Sequence, residues 1–131
     1  MWIFTPFGFF SVVSMRGNTD LLLVRGRVRN DLIAMHHALR TIATSHDLRH
    51  PSAVETNAHA DYPYRCTVHR RTFVQAFTHW IDVDLTYPNF KDEVGRVDTD
   101  RAHVYHEVWA VLARAFAEER PARPITSERI R

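Results

Sequence analysis

The fold of this chain is decided by the stretch Trp2-Ile3-Phe4-Thr5-Pro6-Phe7-Gly8-Phe9-Phe10-Ser11-Val12-Val13, followed by Arg16-Gly17-Asn18-Thr19-Asp20 and then Leu21-Leu22-Leu23-Val24-Arg25-Gly26-Arg27-Val28. Two runs rich in aromatic and β-branched residues are separated by a polar cluster, which is typical of strand, turn and strand. The sequence therefore predicts a β-hairpin over residues 1–28. A hairpin alone is only marginally stable in water, so later segments must add a third strand and helices that cover its apolar face.

Helices and one more strand are predicted downstream of the hairpin. They are a first helix over about 31–43, a strand over 64–69, a second helix over 73–82, a short helical turn over 89–95 and a last helix from 98 or 99 to about 119. Apolar residues at helical spacing and cap residues such as Asn30, Thr72 and Asn89 indicate the helices. The last helix carries an apolar stripe from Ala102 to Phe116, which we expect to pack on the core.

This order of elements predicts an α+β two-layer domain, with an antiparallel sheet of three or four strands packed with three helices. A strand near 83–86 would make it loosely ferredoxin-like. We expect residues 1–119 to form a single domain and 120–131 to form a flexible C-terminal tail. Residues 44–61 show no periodicity and contain many turn formers, which predicts a long mobile loop.

Composition bounds the kind of protein. Hydrophobic residues make up 45% and charged residues 24%, which is typical of a folded domain. The net charge of +2 is too small to indicate nucleic-acid binding by itself. Cys66 is the single cysteine, which excludes an internal disulfide and favours a cytoplasmic protein. No apolar run has the length of a membrane span, so we expect no membrane partner, and no motif indicates a cofactor or a metal.

Several strings resemble those of a family of small uncharacterised bacterial proteins. They are Met1-Trp2 with Gly8-Phe9-Phe10-Ser11-Val12-Val13, Asp61-Tyr62-Pro63-Tyr64-Arg65, Tyr87-Pro88-Asn89-Phe90-Lys91-Asp92, and Tyr105-His106 with Val108-Trp109. The resemblance spans most of the chain except the tail and residues 46–59. It implies a single bacterial domain, and it brings no activity and no catalytic residue.

Arginines gather on one predicted face of the sheet. By the alternation of strands, Arg25, Arg27 and Arg65 point away from the apolar side, with His69 on the same face and Ser11 nearby. Guanidiniums on neighbouring strands can grip a phosphate, and the nearby aromatics could stack on bases. The alternative interpretation is an ordinary solvated sheet face.

Two further groups of polar side chains are weaker candidates. Asp92 with His103, His106 and Glu107 could perform the acid–base work of a small hydrolase or nuclease-like enzyme, although such residues are typical of a polar helix surface. His46 and His50 in the predicted loop, joined by His59 and Asp61, could form a metal cluster, but a loop without regular structure holds metal ligands poorly.

Three hypotheses of function therefore stay open. A binding module for nucleic acid or another anionic partner predicts an exposed arginine-lined face. An enzyme predicts a pocket that joins Asp92 to His103 or His106. A structural homodimer without catalytic activity predicts an exposed apolar patch from the N-terminal aromatics.

Overall fold

The computed structural model describes residues 1–119 and residue 121, and it contains five strands and four α-helices in that part of the chain. The elements are β1 (Trp2–Thr5), β2 (Gly8–Met15), β3 (Asn18–Gly26), α1 (Arg29–Ser45), β4 (Glu55–Thr56), β5 (Tyr64–His69), α2 (Arg70–His79), α3 (Phe90–Val97) and α4 (Thr99–Ala115). The α+β class is confirmed. The predicted tail lies outside the described residues except for Pro121.

The sheet is antiparallel throughout, with the strand order β1-β2-β3-β5-β4. Two predicted details are wrong: the described residues hold five strands and four helices, where three or four strands and three helices were expected. No strand forms near 83–86, because a π-helical turn over Trp80–Asp84 continues α2 as far as Asp84, and residues 85–86 have no regular structure. The loosely ferredoxin-like arrangement is therefore not formed.

The N-terminal stretch forms a three-stranded meander, where the sequence predicted a two-stranded hairpin. The additional turn lies between β1 and β2, where the hydroxyl of Thr5 accepts a hydrogen bond from the amide of Gly8 at 2.9 Å. A Cβ at Gly8 would lie 2.5 Å from the ring of Phe10, so only glycine fits there. Pro6 and Gly8 were the available signal for this turn.

The core lies between one face of the sheet and the helices α1 and α2. Leu32, Met35 and Leu39 of α1 are fully buried against Phe10 and other apolar residues of the strands. Tyr64, Cys66 and Val68 point toward this side, as their alternation predicted. Burial raises the pKa of the Cys66 thiol to about 12, so the thiol is an inert part of the core.

The predicted long loop is present from residue 46 onward, since Thr44 and Ser45 belong to α1, and hydrogen bonds tie it to the domain. Its predicted mobility stays a prediction. The hydroxyl of Ser52 accepts a hydrogen bond from the amide of Thr67, and the amide of Ser52 donates to the carbonyl of Thr67, both at 2.8 Å. The carbonyl of Ser52 lies 2.8 Å from Nε2 of His36. The short strand β4 then adds a fifth strand at the edge of the sheet. Sequence periodicity could not predict it, because two residues are too few to show alternation.

The helix α4 does not pack on the core as predicted. Of its 17 residues only Tyr105 is buried, while Val104, Trp109 and Leu112, and Phe116 just after the helix, are at least half exposed. The cap of this helix is the side chain of Asp98, which accepts from the amide of Arg101, and Asn89 caps α3 as predicted by accepting from the amide of Asp92. The predicted caps Asn30 and Thr72 are wrong, because these residues lie inside α1 and α2. α4 therefore forms as the sequence predicts, but with most of its apolar face uncovered.

Candidate functional site

A row of side chains, polar except for the tryptophan at one end, crosses the sheet on the face opposite the core. In register, Trp2 of β1 pairs with Ser11 of β2, Ser11 with Arg25 of β3, Arg25 with Arg65 of β5, and Arg65 with Glu55 of β4. Residues directly opposite in antiparallel strands have Cβ atoms about 5 Å apart. Two of the arginines predicted to share a face are therefore immediate neighbours.

Tyr62, just before β5, is the residue around which the arginines gather. The guanidinium carbons of Arg25 and Arg27 lie 4.9 Å and 4.7 Å from the centre of its ring, within the range of a cation–π contact. Arg65 donates from Nη2 to the carbonyl of Tyr62 at 3.2 Å. We call Arg25, Arg27 and Arg65, together with Tyr62, the arginine cluster. Sequence reasoning missed Tyr62, because it precedes β5, and the alternation of side chains along a strand does not predict which way it points.

The charges of the arginine cluster are only partly neutralised. Arg27 donates from Nη2 to both oxygens of the exposed carboxylate of Asp61, with both distances 3.0 Å. Among the described residues, no carboxylate oxygen lies within 4.0 Å of the guanidinium of Arg25 or Arg65. Arg25 instead donates from Nη2 to the buried hydroxyl of Ser11 at 2.8 Å.

The two Nε atoms of the paired arginines are the buried side-chain polar atoms without a hydrogen-bond partner in the described part of the chain. Both guanidiniums are half-buried. Buried polar groups in proteins are nearly always paired, so these donors mark an unusual place in the structure. His69, predicted on the same face, pairs with Leu21 and lies about 13 Å along β5 from Arg65, outside the cluster.

A cleft of about 590 Å³ opens beside the arginine cluster, between this face of the sheet and α4. It is mostly apolar, and its lining shares Arg27 and Tyr62 with the cluster. We call it the aromatic cleft, since five of its lining residues carry aromatic rings: Trp2, Phe4, Phe9, Tyr62 and Tyr105. Trp2 is 68% exposed, and its ring meets that of Phe9 edge-on at 5.9 Å.

A buried ion pair holds α4 against the end of the cleft. Arg101 donates to both carboxylate oxygens of Asp31 in α1, at 2.9 Å and 2.6 Å. Burial alone would lower the pKa of Arg101, but its hydrogen bonds to Asp31 and Tyr105 outweigh this and raise it above its usual value. The hydroxyl of Tyr105 donates to the carbonyl of Thr5 at 3.0 Å, and burial raises the pKa of this phenol. The site is therefore fixed from both helices and from β1.

The other predicted candidates lie elsewhere. Asp92 and His103 are exposed, and His106 stacks on Trp109 with ring centres 5.4 Å apart. None of the three lines the aromatic cleft. Within the described ranges, no three His, Cys, Asp or Glu residues come together as a metal site would require. The enzyme hypothesis stays a prediction.

Comparison with known protein families, with curated proteins and with solved structures finds no match to this chain. The resemblance to a family of small bacterial proteins therefore stays a prediction. No helix in the described residues combines the length and the apolar character needed to cross a bilayer. What the site can do follows from its own geometry.

Proposed function

We propose that the protein is a binding module for an anionic partner, and that single-stranded nucleic acid is the partner class its surface fits best. The observation that carries the proposal is the pair of half-buried guanidiniums, Arg25 and Arg65, directly opposite each other with no carboxylate within 4.0 Å among the described residues. Like charges directly opposite in a sheet destabilise it, so an anion bound between them would relieve a cost of the free protein.

The donors of the arginine cluster suit a phosphate. A guanidinium carries five N–H donors in a planar fork, and in the described part of the chain Arg25 and Arg65 each make one hydrogen bond. Such forks bind phosphate oxygens bidentately and with more geometric selectivity than an ammonium group. The sheet holds two of them side by side, so two phosphate oxygens or two successive phosphates could be engaged at once.

The aromatic cleft supports nucleic acid over a simple anion. Proteins that bind single strands combine a basic track for the backbone with aromatic side chains on which bases stack. Here the exposed ring of Trp2 begins the same cross-strand row that holds Arg25 and Arg65, and Tyr62 belongs to both the cluster and the cleft. A strand whose phosphates lie on the arginines could therefore place a base in the cleft.

The test is titration of labelled single-stranded RNA and DNA at several salt concentrations. With three phosphate contacts, log K should fall with log salt at a slope of about −2, and Arg25→Ala with Arg65→Ala should reduce the slope to about −0.7. Arg40→Ala is the matched control, because Arg40 is exposed on α1 and the change in net charge per substitution is the same. It should leave the slope unchanged.

Trp2→Ala separates stacking from simple charge attraction. If a base stacks on this ring, the substitution should weaken binding about tenfold while leaving the salt slope unchanged. No binding at low salt, or binding that survives the double arginine substitution, would overturn the proposal. Binding that depends on the arginines but not on Trp2, and that polyphosphate displaces equally well, would mean that the partner is a different anion.

A further inference from the structure

The apolar face of α4 is uncovered in the described structure, and it lies apart from the arginine cluster. One continuous row runs along the helix at spacings of three and four residues, which we call the α4 stripe: Val104, Val108, Val111, Leu112 and Ala115. All five are exposed, with Val111 and Leu112 each 53% accessible. Trp2 lies across the aromatic cleft from Val104 and Val108, and Phe116 extends the apolar surface beyond the stripe.

The size of this surface is that of a protein interface. The exposed parts of the α4 stripe together with Trp109 and Phe116 amount to on the order of 700 Å², close to the roughly 800 Å² that one partner contributes to a standard interface. Monomeric proteins rarely leave an apolar patch this large uncovered. An amphipathic helix derives most of its stability from packing of its apolar face, so α4 needs a partner over its C-terminal half.

The charges beside the α4 stripe point to a second copy of the same helix. Asp100 and Arg114 are both exposed, lie on the same flank of the stripe, and stand near its opposite ends. In two antiparallel helices related by a twofold axis, the same flanks face each other. With the axis near Val108, Asp100 of one copy comes within about one helical turn of Arg114 of the other, and the symmetry makes two such opposite-charge pairs. Glu107, exposed on the same flank, faces its own copy near the axis, so the two attractive pairs stand against one like-charged contact.

We infer that the protein forms a homodimer in which the α4 stripes of two copies pack antiparallel about a twofold axis near Val108. The contact is isologous, so the same residues are buried on both copies and the assembly closes at two. Because Val104 and Val108 also line the aromatic cleft, the partner helix would run along the mouth of the cleft and cover part of it. This places the apolar patch of a dimer on α4, where the sequence had suggested the N-terminal aromatics.

The first experiment measures the mass of the protein in solution by light scattering or sedimentation equilibrium, from about 1 to about 100 µM, since interfaces of this size have micromolar or tighter affinity. The wild-type chain should show twice the 15.3 kDa of one chain. Val111→Glu should give a monomer, because it buries two charges in the interface. Val74→Glu is the matched control: Val74 is an equally exposed valine, 55%, on α2.

Circular dichroism checks that both variants keep the wild-type fold, which is expected because both residues are exposed. A wild-type chain that stays monomeric at the highest concentration overturns the inference. The inference is also overturned if Val111→Glu and Val74→Glu both stay dimeric, or if both become monomeric. The double substitution Arg25→Ala with Arg65→Ala should stay dimeric, so failure of this inference and failure of the proposed nucleic-acid binding can be told apart.

Engineered cysteines test the antiparallel arrangement, since the single native cysteine is buried and does not interfere. Val108→Cys should form a disulfide with its own copy under mild oxidation, because it lies at the axis. Val104→Cys should not, since the two copies of this residue lie about 12 Å apart along the helices. If both variants crosslink equally well, the helices pack parallel and the proposed geometry is wrong. If neither does, the α4 stripe does not pair with itself.

Discussion

The helices α1 and α4 are each 17 residues long and each carries an apolar stripe, yet the structure uses them in opposite ways. α1 buries six residues, most of them against the sheet, whereas α4 buries only Tyr105. Leu39 of α1 is 0% exposed and Leu112 of α4 is 53% exposed, although each lies in its helix where the spacing predicts a core position. Helical periodicity thus predicts that a face is apolar, but not what covers it.

The two faces of the sheet differ in the same way, since one is covered and the other is largely uncovered. The face toward α1 and α2 is closed by side chains such as Phe10 and Val24, and the other face carries the arginine cluster and the aromatic cleft. α4 reaches that second face at its margin, where Tyr105 meets Phe4 with ring centres 5.2 Å apart. One layer of the domain therefore stabilises the fold, and the other leaves charged and apolar surface accessible to partners.

The largest effect expected from this comparison is on stability. Leu39→Ala removes a fully buried side chain and should destabilise the domain by about 4 kcal/mol, because a cavity is left in a packed core. Leu112→Ala is the matched change on α4 and should cost less than about 1 kcal/mol in the monomer. Denaturant midpoints measured on a Val111→Glu background, which keeps the chain monomeric, would give both values. Equal losses would show that α4 has a core role after all.

The ion pair between Asp31 and Arg101 joins α1 and α4, and we expect its loss to have the second-largest effect on stability. Its side chains are 8% and 16% exposed, so Arg101→Met leaves a buried carboxylate without its partner and should cost about 3 kcal/mol. Arg96→Met is the control, because Arg96 is 71% exposed on α3 and its pair with Glu93 should contribute much less to stability than the buried pair.

A double variant shows whether this cost comes from the unpaired charge. Asp31→Leu combined with Arg101→Met should be more stable than Arg101→Met alone, because both buried charges are then gone. Urea unfolding of the three variants gives the comparison. If the double variant is less stable than the single one, the pair stabilises the domain through packing of its side chains rather than through charge.

Much of the fold could be predicted from local patterns. The alternation of Tyr64, Cys66 and Val68 gave both the limits and the inward face of β5, and Asn89 and Asp98 cap their helices as predicted. The strand β4 and the turn after Thr5 were not recognised. The strand β4 depends on hydrogen bonds to residues that only the folded chain brings near. The turn after Thr5 is too short to interrupt the apolar run in which it lies.

The candidate site was predictable only in part, and for a physical reason. Strand parity placed Arg25 and Arg65 on one face, because side-chain direction in a strand follows from the sequence alone. The register between two strands does not follow from the sequence alone. Neither the direct pairing of Arg25 with Arg65 nor the distance of His69 from the arginine cluster could therefore be predicted. The pair of Asp31 with Arg101 spans 70 residues of sequence, and no spacing rule reaches that far.

A pH effect should follow from the closed face of the sheet. The folded pKa of Cys66 is raised to about 12, above the value near 8.5 of an unfolded thiol. The contribution of the neutral thiol to stability is therefore fully present below about pH 8.5. As pH rises toward 12, the thiol ionises in the unfolded state before it does in the folded state, so this contribution is lost at up to about 1.4 kcal/mol per pH unit. From pH 7.5 to pH 10, the wild-type chain should lose about 2 kcal/mol more than Cys66→Ala, which has no thiol to ionise. Equal losses would contradict the burial of this thiol.

The smallest expected effect concerns the open face, and it sharpens the assignment of the anion site. Glu55 pairs in register with Arg65, and the carboxylate of Asp61 holds Arg27, so both compete with an anionic partner for the arginine cluster. Asp61→Asn should strengthen binding of a single-stranded oligonucleotide by about two- to fivefold, the worth of one exposed ion pair. Glu55→Gln should strengthen it by less, because the carboxylate of Glu55 stands opposite Arg65 without forming an ion pair with it.

Asp20→Asn is the control that separates local competition from net charge. Asp20 is exposed on the same strand as Arg25 but about 16 Å from it along β3, beyond the screening length of about 8 Å at physiological salt. It should therefore leave the affinity unchanged in a fluorescence anisotropy titration at that salt. An equal rise for all three substitutions would mean that only the total charge matters. No rise for Glu55→Gln or Asp61→Asn would mean that the partner does not contact Arg65 and Arg27, and that the anion binds elsewhere on the domain.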